Sequence, residues 1–168
     1  MVTVHQAFTN RYNGLTNVIA TQVEVINIYN NTSAIFTAVW DTGAMRTTIT
    51  QKVVDTIQCI ETDKAMMVGV GSAPKEVNIY DINLKLPNSV TIKNIAVLST
   101  SEMGGCDVLI GMDIICLGDL AITNHDGKTI MTFSIPSHKP LCFVERAEKL
   151  NEPLFKKGIL KKIPVNQP

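Results

Sequence analysis

Short apolar runs separated by turn residues make up most of the chain, and this pattern predicts a mainly β protein. Residues 34–40 read Ala-Ile-Phe-Thr-Ala-Val-Trp, and such a nearly continuous run is typical of a central strand buried on both faces. Residues 23–25 open a neighbouring strand, and the polar segment 30–33 supplies the turn between the two. We therefore expect residues 34–40 to form a central strand that ends at Asp41.

A short helix is predicted directly after this region. Val53, Val54 and Ile57 fall on one face of a helix, and Thr50 precedes them. Threonine is a favoured N-cap residue, because its hydroxyl can accept a hydrogen bond from a free N–H of the first turn. We expect this helix to end near Cys59.

Residues 65–86 predict a β-hairpin. An apolar, glycine-containing segment, 65–71, leads to a turn at 72–75 and then to an alternating strand. In that strand the apolar positions are odd-numbered as far as Ile79 and even-numbered from Ile82 onward. The change of phase predicts a β-bulge near residues 80 and 81.

A second buried strand ends at Gly111. Cys-Asp-Val-Leu-Ile precedes this glycine, and Met-Asp-Ile-Ile follows it as a short apolar helix. Asp113 lies in the first turn of that helix, where the helix dipole favours a carboxylate. Further along, the pair Asp126-Gly127 between two apolar runs predicts a hairpin with a primed turn.

The length of 168 residues allows one sizeable core and is too short for two ordinary domains. We expect an N-terminal segment over residues 1–14 and one folded domain over 15–136. From Pro136 onward, prolines and lysines become frequent. Residues 137–168 are therefore predicted to be a basic arm or tail.

Charge and hydropathy argue against a nucleic acid or a membrane as a partner. Lys and Arg number 15, as do Asp and Glu, so the formal net charge is zero. No apolar stretch reaches the roughly 18 residues of a membrane helix, and the first residues lack an apolar core of signal-peptide length. We expect a soluble, cytoplasmic protein.

The cysteines give no sign of a metal site. They are widely spaced, form no Cys-x-x-Cys pair, and have no histidine at metal-ligand spacing. We expect all of them to be reduced and most of them to be buried, as free cysteines usually are. No metal or cofactor is predicted.

Three segments resemble the retropepsin family, the single-domain aspartic peptidases that include the retroviral proteases and related cellular and bacterial proteins. Residues 40–44, Trp-Asp-Thr-Gly-Ala, are similar to the catalytic turn of the family. Residues 68–71, Val-Gly-Val-Gly, are similar to its Gly-rich flap, and residues 109–111, Leu-Ile-Gly, to the strand beneath the catalytic turn. Their order and spacing over about residues 15–135 imply a closed, β-barrel-like acid-protease fold with one or two short helices.

The resemblance implies that Asp41 is catalytic, in a turn completed by Thr42 and Gly43. This type of peptide hydrolysis needs two carboxylates that share one proton: one takes a proton from a bound water, and the other donates to the scissile carbonyl oxygen. The chain contains a single Asp-Thr-Gly. We therefore expect the second carboxylate to be Asp41 of another copy, as in the family, in an obligate homodimer.

The neighbours of Asp41 have separate expected roles. Gly43 permits a tight turn and leaves room beside the water, because it has no Cβ. The Thr42 hydroxyl is expected to hold the turn, and the resemblance implies a bond across the dimer axis. Ala44 is small at the place where a substrate backbone would pass.

The predicted flap supplies the remaining substrate-binding residues, which are Met67, Val68, Gly69, Val70 and Gly71. Its glycines would allow a mobile hairpin to close on an extended peptide and exclude water. Its apolar residues favour apolar side chains beside the scissile bond. Peptides or unfolded protein segments are the expected substrates.

Two features leave an alternative open. Retroviral members often carry an acidic residue after the Ala of the catalytic turn, whereas this chain has Met45-Arg46. A groove can also survive the loss of correct carboxylate geometry. The alternative is a catalytically inactive module of the same fold that binds peptides or a partner protein without cutting.

Overall fold

A computed structural model describes residues 4–69 and 73–157. They divide into two compact units, one ending at His138 and the other beginning at Lys139. The strands of the first unit are β1 (Gln6–Arg11), β2 (Ala20–Asn27), β3 (Ser33–Trp40), β4 (Thr48–Thr50), β5 (Glu61–Met67), β6 (Lys75–Lys85), β7 (Thr91–Thr100), β8 (Val108–Ile110), β9 (Asp119–His125) and β10 (Lys128–Ile135). Its helices are α1 (Gln51–Ile57) and α2 (Met112–Ile115), and α3 (Phe143–Lys156) lies in the second unit.

Six strands close into a barrel. Their hydrogen-bonded order is β2-β3-β8-β4-β7-β6, and β6 also pairs with β2, which completes the ring. Strand β5 extends this sheet as the outer partner of β6, and β1, β10 and β9 form a separate antiparallel sheet. The predicted mainly β, barrel-like fold with few short helices is confirmed. Strand β1 lies inside the predicted N-terminal segment and is paired with β10 over its whole length.

Strand β3 is central, as predicted, but it is buried mainly on one face. Phe36, Ala38 and Trp40 are buried, whereas Ile35 is 69% exposed. The expectation of two-sided burial is wrong because a closed barrel places alternate residues inside and outside. The central position still matters for the site, since β3 pairs antiparallel with β2 and parallel with β8.

An aromatic cluster anchors the end of β3. The rings of Trp40 and Phe133 have centroids 4.9 Å apart, and Phe8 packs against both. The Trp40 Nε1–H donates to the Thr21 hydroxyl at 2.9 Å. The residue before Asp41 is therefore held by packing and by a buried hydrogen bond.

Helix α1 has the predicted position but lacks the predicted capping bond. Thr50 is its N-cap residue, yet the Thr50 hydroxyl is buried without a hydrogen-bond partner among the described residues. Thr50 is also the last residue of β4 and has an extended backbone conformation. Its N–H donates to the Asp107 carbonyl at 3.0 Å, which holds it in that conformation. The helix ends at Ile57, and the Cys59 N–H donates to the Val54 carbonyl.

Both predicted irregularities of the sheets are present. The β5–β6 register shifts where Glu61 faces Tyr80 and Asp63 faces Ile79, so the extra residue of the bulge lies on β5. In the β9–β10 hairpin, Asp126 and Gly127 have φ angles of 49° and 69°. Two positive φ angles in succession are the requirement of a type I′ turn.

The predicted basic arm contains a helix. Helix α3 spans 14 residues and includes Pro153. No helix in the described part of the chain is long and apolar enough to cross a membrane.

All four cysteines are free, and none is fully buried, which contradicts the expectation that most of them are buried. Cys116 and Cys142 are exposed, whereas Cys59 and Cys106 are half-buried. Cys116 directly follows the last residue of the four-residue helix α2, so this element is too short to cover it. Burial raises the pKa of the Cys59 thiol to about 11 and also raises the pKa of Cys106, with a smaller contribution from the charge of Asp107.

We expect Cys59 to react slowly with alkylating reagents in the folded protein. The thiolate is the reactive form, and a rise of the pKa from 9.0 to about 11 lowers its population roughly 10²-fold below pH 9. Site-resolved mass spectrometry after iodoacetamide treatment at pH 8 would measure this, with the urea-unfolded protein as control. Equal rates in the two samples would contradict the burial of Cys59.

Candidate active site

Asp41 lies directly after β3, on a turn that its own carboxylate helps to hold. The Asp41 N–H donates to the Ile110 carbonyl of β8 at 2.9 Å. Its Oδ1 accepts a hydrogen bond from the Gly43 N–H at 2.8 Å, and the Ala44 N–H donates to the Asp41 carbonyl at 3.3 Å. These bonds orient a half-buried carboxylate. A Cβ at residue 43 would lie 3.2 Å from Asp41 Oδ1, so glycine keeps that oxygen uncrowded.

Thr42 does not hold the turn within one chain. Its side chain is exposed, and no hydrogen bond of its hydroxyl is present among residues 4–69 and 73–157. Instead, the Asp41 carboxylate and carbonyl hold the turn by accepting hydrogen bonds from the N–H groups of Gly43 and Ala44. The expected bond of Thr42 across a dimer axis stays a prediction.

Gly111 allows the strand before α2 to pack tightly against the Asp-Thr-Gly turn. Strands β3 and β8 are parallel, with Trp40 opposite Ile110, so Asp41 and Gly111 emerge at the same edge. The Met112 N–H donates to the Ala44 carbonyl at 2.8 Å. A Cβ at residue 111 would lie 2.6 Å from the Arg46 carbonyl carbon. Only a glycine fits without moving the backbone.

A buried Thr47–Asp113 interaction supports the same region. The two oxygens of Asp113 accept hydrogen bonds from the Thr47 N–H at 2.8 Å and the Thr47 hydroxyl at 2.7 Å. The Gly111 N–H in turn donates to the Thr47 hydroxyl oxygen at 3.2 Å. Sequence reasoning placed Asp113 in the first turn of a helix, which is correct, but missed its partner.

The Asp-Thr-Gly turn opens into a cleft of about 430 Å³. Of the residues predicted for the site, the cleft is lined by Asp41, Gly43, Ala44, Met67, Val68 and Gly69. Thr42 does not line it, and the predicted Val70 and Gly71 lie outside the described residues. The turn at Asp41 and one stretch of the β5–β6 hairpin therefore line the same cleft.

Other parts of the chain contribute lining residues that sequence reasoning did not assign to the site. They are Met45, Arg46, Thr48, Ala65, Leu98, Thr100, Glu102, Met103 and Leu109. The sequence did draw attention to Met45 and Arg46, because they depart from the family pattern after the Asp-Thr-Gly-Ala segment. Glu102 and Met103 had no such signal, because only the folding of the loop after β7 brings them to the cleft.

The cleft differs in its lining from three other cavities of the first unit, which have volumes of about 570, 560 and 460 Å³. The first of these is lined by residues of β1, β2 and β3 together with Pro87 and has no titratable lining side chain, whereas the other two are lined mainly by polar and charged residues. The cleft beside Asp41 combines a carboxylate with apolar side chains, of which Met66 and Val68 are 62% and 69% exposed. The cleft therefore offers an acid–base group beside surfaces that suit an apolar ligand.

No protein-family model matches the chain, and no curated protein matches it. Among solved structures, the chain is similar to a retropepsin-like aspartic protease from Rickettsia conorii, at 13% identity over 80% of this chain and 98% of that chain, with a TM-score of 0.48. It is also similar to EIAV protease in complex with the inhibitor HBY-793, at 21% identity over 62% and 89% of the two chains, with a TM-score of 0.42.

The fold follows from the molecule's own arrangement. A closed barrel carries the Asp-Thr-Gly turn directly after its central strand, a strand–Gly–helix unit packs beneath that turn, and a β-hairpin lines the cleft beside it. The chain has the retropepsin-like fold.

Proposed function

We propose that the chain is an aspartic endopeptidase that hydrolyses peptide bonds with a water activated by two Asp41 carboxylates, one from each subunit of a homodimer. One observation carries the proposal. The Asp41 carboxylate is oriented by the Gly43 N–H and lines an open cleft whose other walls are largely apolar.

The proposed chemistry needs no covalent intermediate on the protein. Two carboxylates about 3 Å apart cannot both ionise, so the pair holds one proton. The ionised member takes a proton from water while the water oxygen attacks the scissile carbonyl carbon, and the protonated member donates its proton to the carbonyl oxygen. When the C–N bond breaks, the amine nitrogen receives the proton that the first carboxylate took, and one hydroxyl of the tetrahedral intermediate returns a proton to the second carboxylate, which restores the starting pair.

A second copy is the economical source of the second carboxylate. Within one chain, the other carboxylate that lines the cleft is Glu102, an exposed residue in the loop after β7. It lacks the hydrogen-bonded turn that orients Asp41. Two copies related by a two-fold axis would bring two identically supported carboxylates together.

Extended peptides fit the shape and composition of this cleft. Strand β5 lies at an edge of the sheet, and an extended chain can pair with such an edge while its alternate side chains enter pockets. Met45, Met66, Met67 and Met103 line the cleft. Methionine adapts to side chains of different shape, so we expect a preference for apolar residues without strict selection of one.

Cleavage of an unfolded protein by the wild type and by Asp41→Asn, measured in parallel across roughly pH 4 to 8 to bracket a shared-proton pair, tests the proposal. Cutting by the wild type alone supports it. Peptide binding by both proteins with no cutting by either, in a dimeric sample, would favour the inactive binding module.

We expect the specific activity to rise with protein concentration, because only the dimer contains both carboxylates. Rates measured over a dilution series should follow the dimer fraction determined by analytical ultracentrifugation, with the substrate concentration held constant. A constant specific activity in a monomeric sample would instead indicate a site completed within one chain, with Glu102 as the first residue to test.

A further inference from the structure

We propose that Arg46 recognises a carboxylate on the bound peptide, so that this cleft prefers peptides that are acidic as well as apolar. The inference rests on the proposed function, since it assumes that the cleft binds peptides. Arg46 is half-buried and lines the cleft together with Asp41. It is the one cation among the described lining residues.

The guanidinium of Arg46 has more donors than partners. One Nη2–H donates to the Ala96 carbonyl of β7 at 2.8 Å, whereas a guanidinium carries five N–H donors. Ion pairs among residues 4–69 and 73–157 involve other cations, namely Lys52, Lys64, Lys85, His125 and Lys156. A partly desolvated cation without a counter-ion gains strongly from an anion that arrives with a ligand.

The same bond prepares Arg46 for recognition. By tying the end of the side chain to Ala96, it lowers the conformational entropy that binding would otherwise remove. Next to it, the Leu98 N–H donates to the Thr47 carbonyl at 3.0 Å, which attaches the backbone of this segment to β7. A planar guanidinium held in one orientation favours a planar, two-oxygen acceptor such as a carboxylate.

The other charges of the cleft restrict where that carboxylate can bind. Asp41 and Glu102 are the acidic lining residues. A negative group beside Asp41 would be repelled, so the acidic position of the peptide should be removed from the scissile bond. Glu102 is exposed, and its attraction for a basic residue is weakened by solvent. The selection by Arg46 should therefore dominate.

The carboxylate could belong to an acidic side chain or to the C-terminus of the peptide. Both present the same two oxygens to the guanidinium. The test requires fluorescently labelled apolar peptides with an amidated C-terminus. A single Glu, or its isostere Gln, is placed at each position of the peptide in turn. A further set carries Gln and a free C-terminal carboxylate, which separates the two sources.

Binding is measured by fluorescence anisotropy on protein carrying Asp41→Asn, which keeps the peptides intact. At the best position we expect the peptide with Glu, or the peptide with a free C-terminus, to bind about tenfold more tightly than the matching neutral peptide. This ratio corresponds to one hydrogen bond between charged groups. Arg46→Gln should remove this ratio and Arg46→Glu should reverse it. The control Lys93→Gln removes a charge from an exposed residue of β7 that does not line the cleft and should leave the ratio intact.

The inference would be overturned by equal affinity for charged and neutral peptides at every position, by an equal loss of affinity for both in Arg46→Gln, or by the absence of binding of any peptide. Weaker dimerisation of Arg46→Gln without a charge preference would assign the guanidinium to the subunit interface instead, which also overturns it. Cleavage of the same peptides by the wild type separates the two proposals. Cutting without an acidic preference rejects only the role of Arg46, and an acidic preference without cutting rejects only the peptidase.

Discussion

Replacing Asp41 with Asn is expected to lower the cleavage of an unfolded protein by at least about 10³-fold while leaving the fold intact. An amide can neither take a proton from water nor donate one to the carbonyl oxygen, and positioned acid–base groups contribute about 10²- to 10⁴-fold. The structural role of the side chain survives, because the amide oxygen can still accept the Gly43 N–H bond that Asp41 Oδ1 accepts. The loss should therefore appear in turnover and not in the melting temperature.

Two controls make this result specific. Asp126→Asn is the same chemical change at an 86% exposed side chain in the β9–β10 turn, and Asn is also favoured in a type I′ turn. It should retain wild-type activity. An excess of Asp41→Asn mixed with the wild type should suppress cleavage, because mixed dimers contain one functional carboxylate. Unchanged cleavage by pure Asp41→Asn would show that Asp41 is not catalytic.

Replacing Gly111 with Ala is expected to destabilise the protein by about 3 kcal/mol, a value at the upper end of the range for overpacking. We also expect this substitution to abolish cleavage. The added Cβ would lie 2.6 Å from the Arg46 carbonyl carbon and 2.9 Å and 3.0 Å from the Arg46 and Ala44 carbonyl oxygens. All three are backbone atoms, so no side-chain rotation relieves the contact. Residues 44 to 46 would have to move, and the Met112–Ala44 hydrogen bond would weaken with them.

Urea unfolding followed by circular dichroism measures the change in stability. The matched control is Gly104→Ala, because a Cβ at residue 104 meets no atom within 4 Å and an exposed substitution of this kind changes stability by only about 0.5 kcal/mol. If Gly111→Ala were as stable as Gly104→Ala and fully active, the close approach of β8 to the Asp-Thr-Gly turn would be refuted.

The features that the sequence determined by itself are local ones. Each of these features depends on residues that are close together in the sequence. They are an apolar strand that ends in Asp-Thr-Gly, a helix over residues 51–57 and an Asp-Gly hairpin. Their conformations follow from propensity, period and turn chemistry. The phase change near Tyr80 is local as well, although the sequence could not show that the extra residue lies on β5.

Contacts between distant segments were decided only by the tertiary structure. Thr47 meets Asp113 across 66 positions, and Arg46 meets Ala96 across 50. No hydrophobic period or motif in one segment indicates which distant segment it will contact. The exposure of Ile35 likewise depends on the closure of the barrel. The sequence thus specified the Asp-Thr-Gly turn itself, whereas pairing between remote strands decided what supports that turn and which side chains, Arg46 among them, line the cleft.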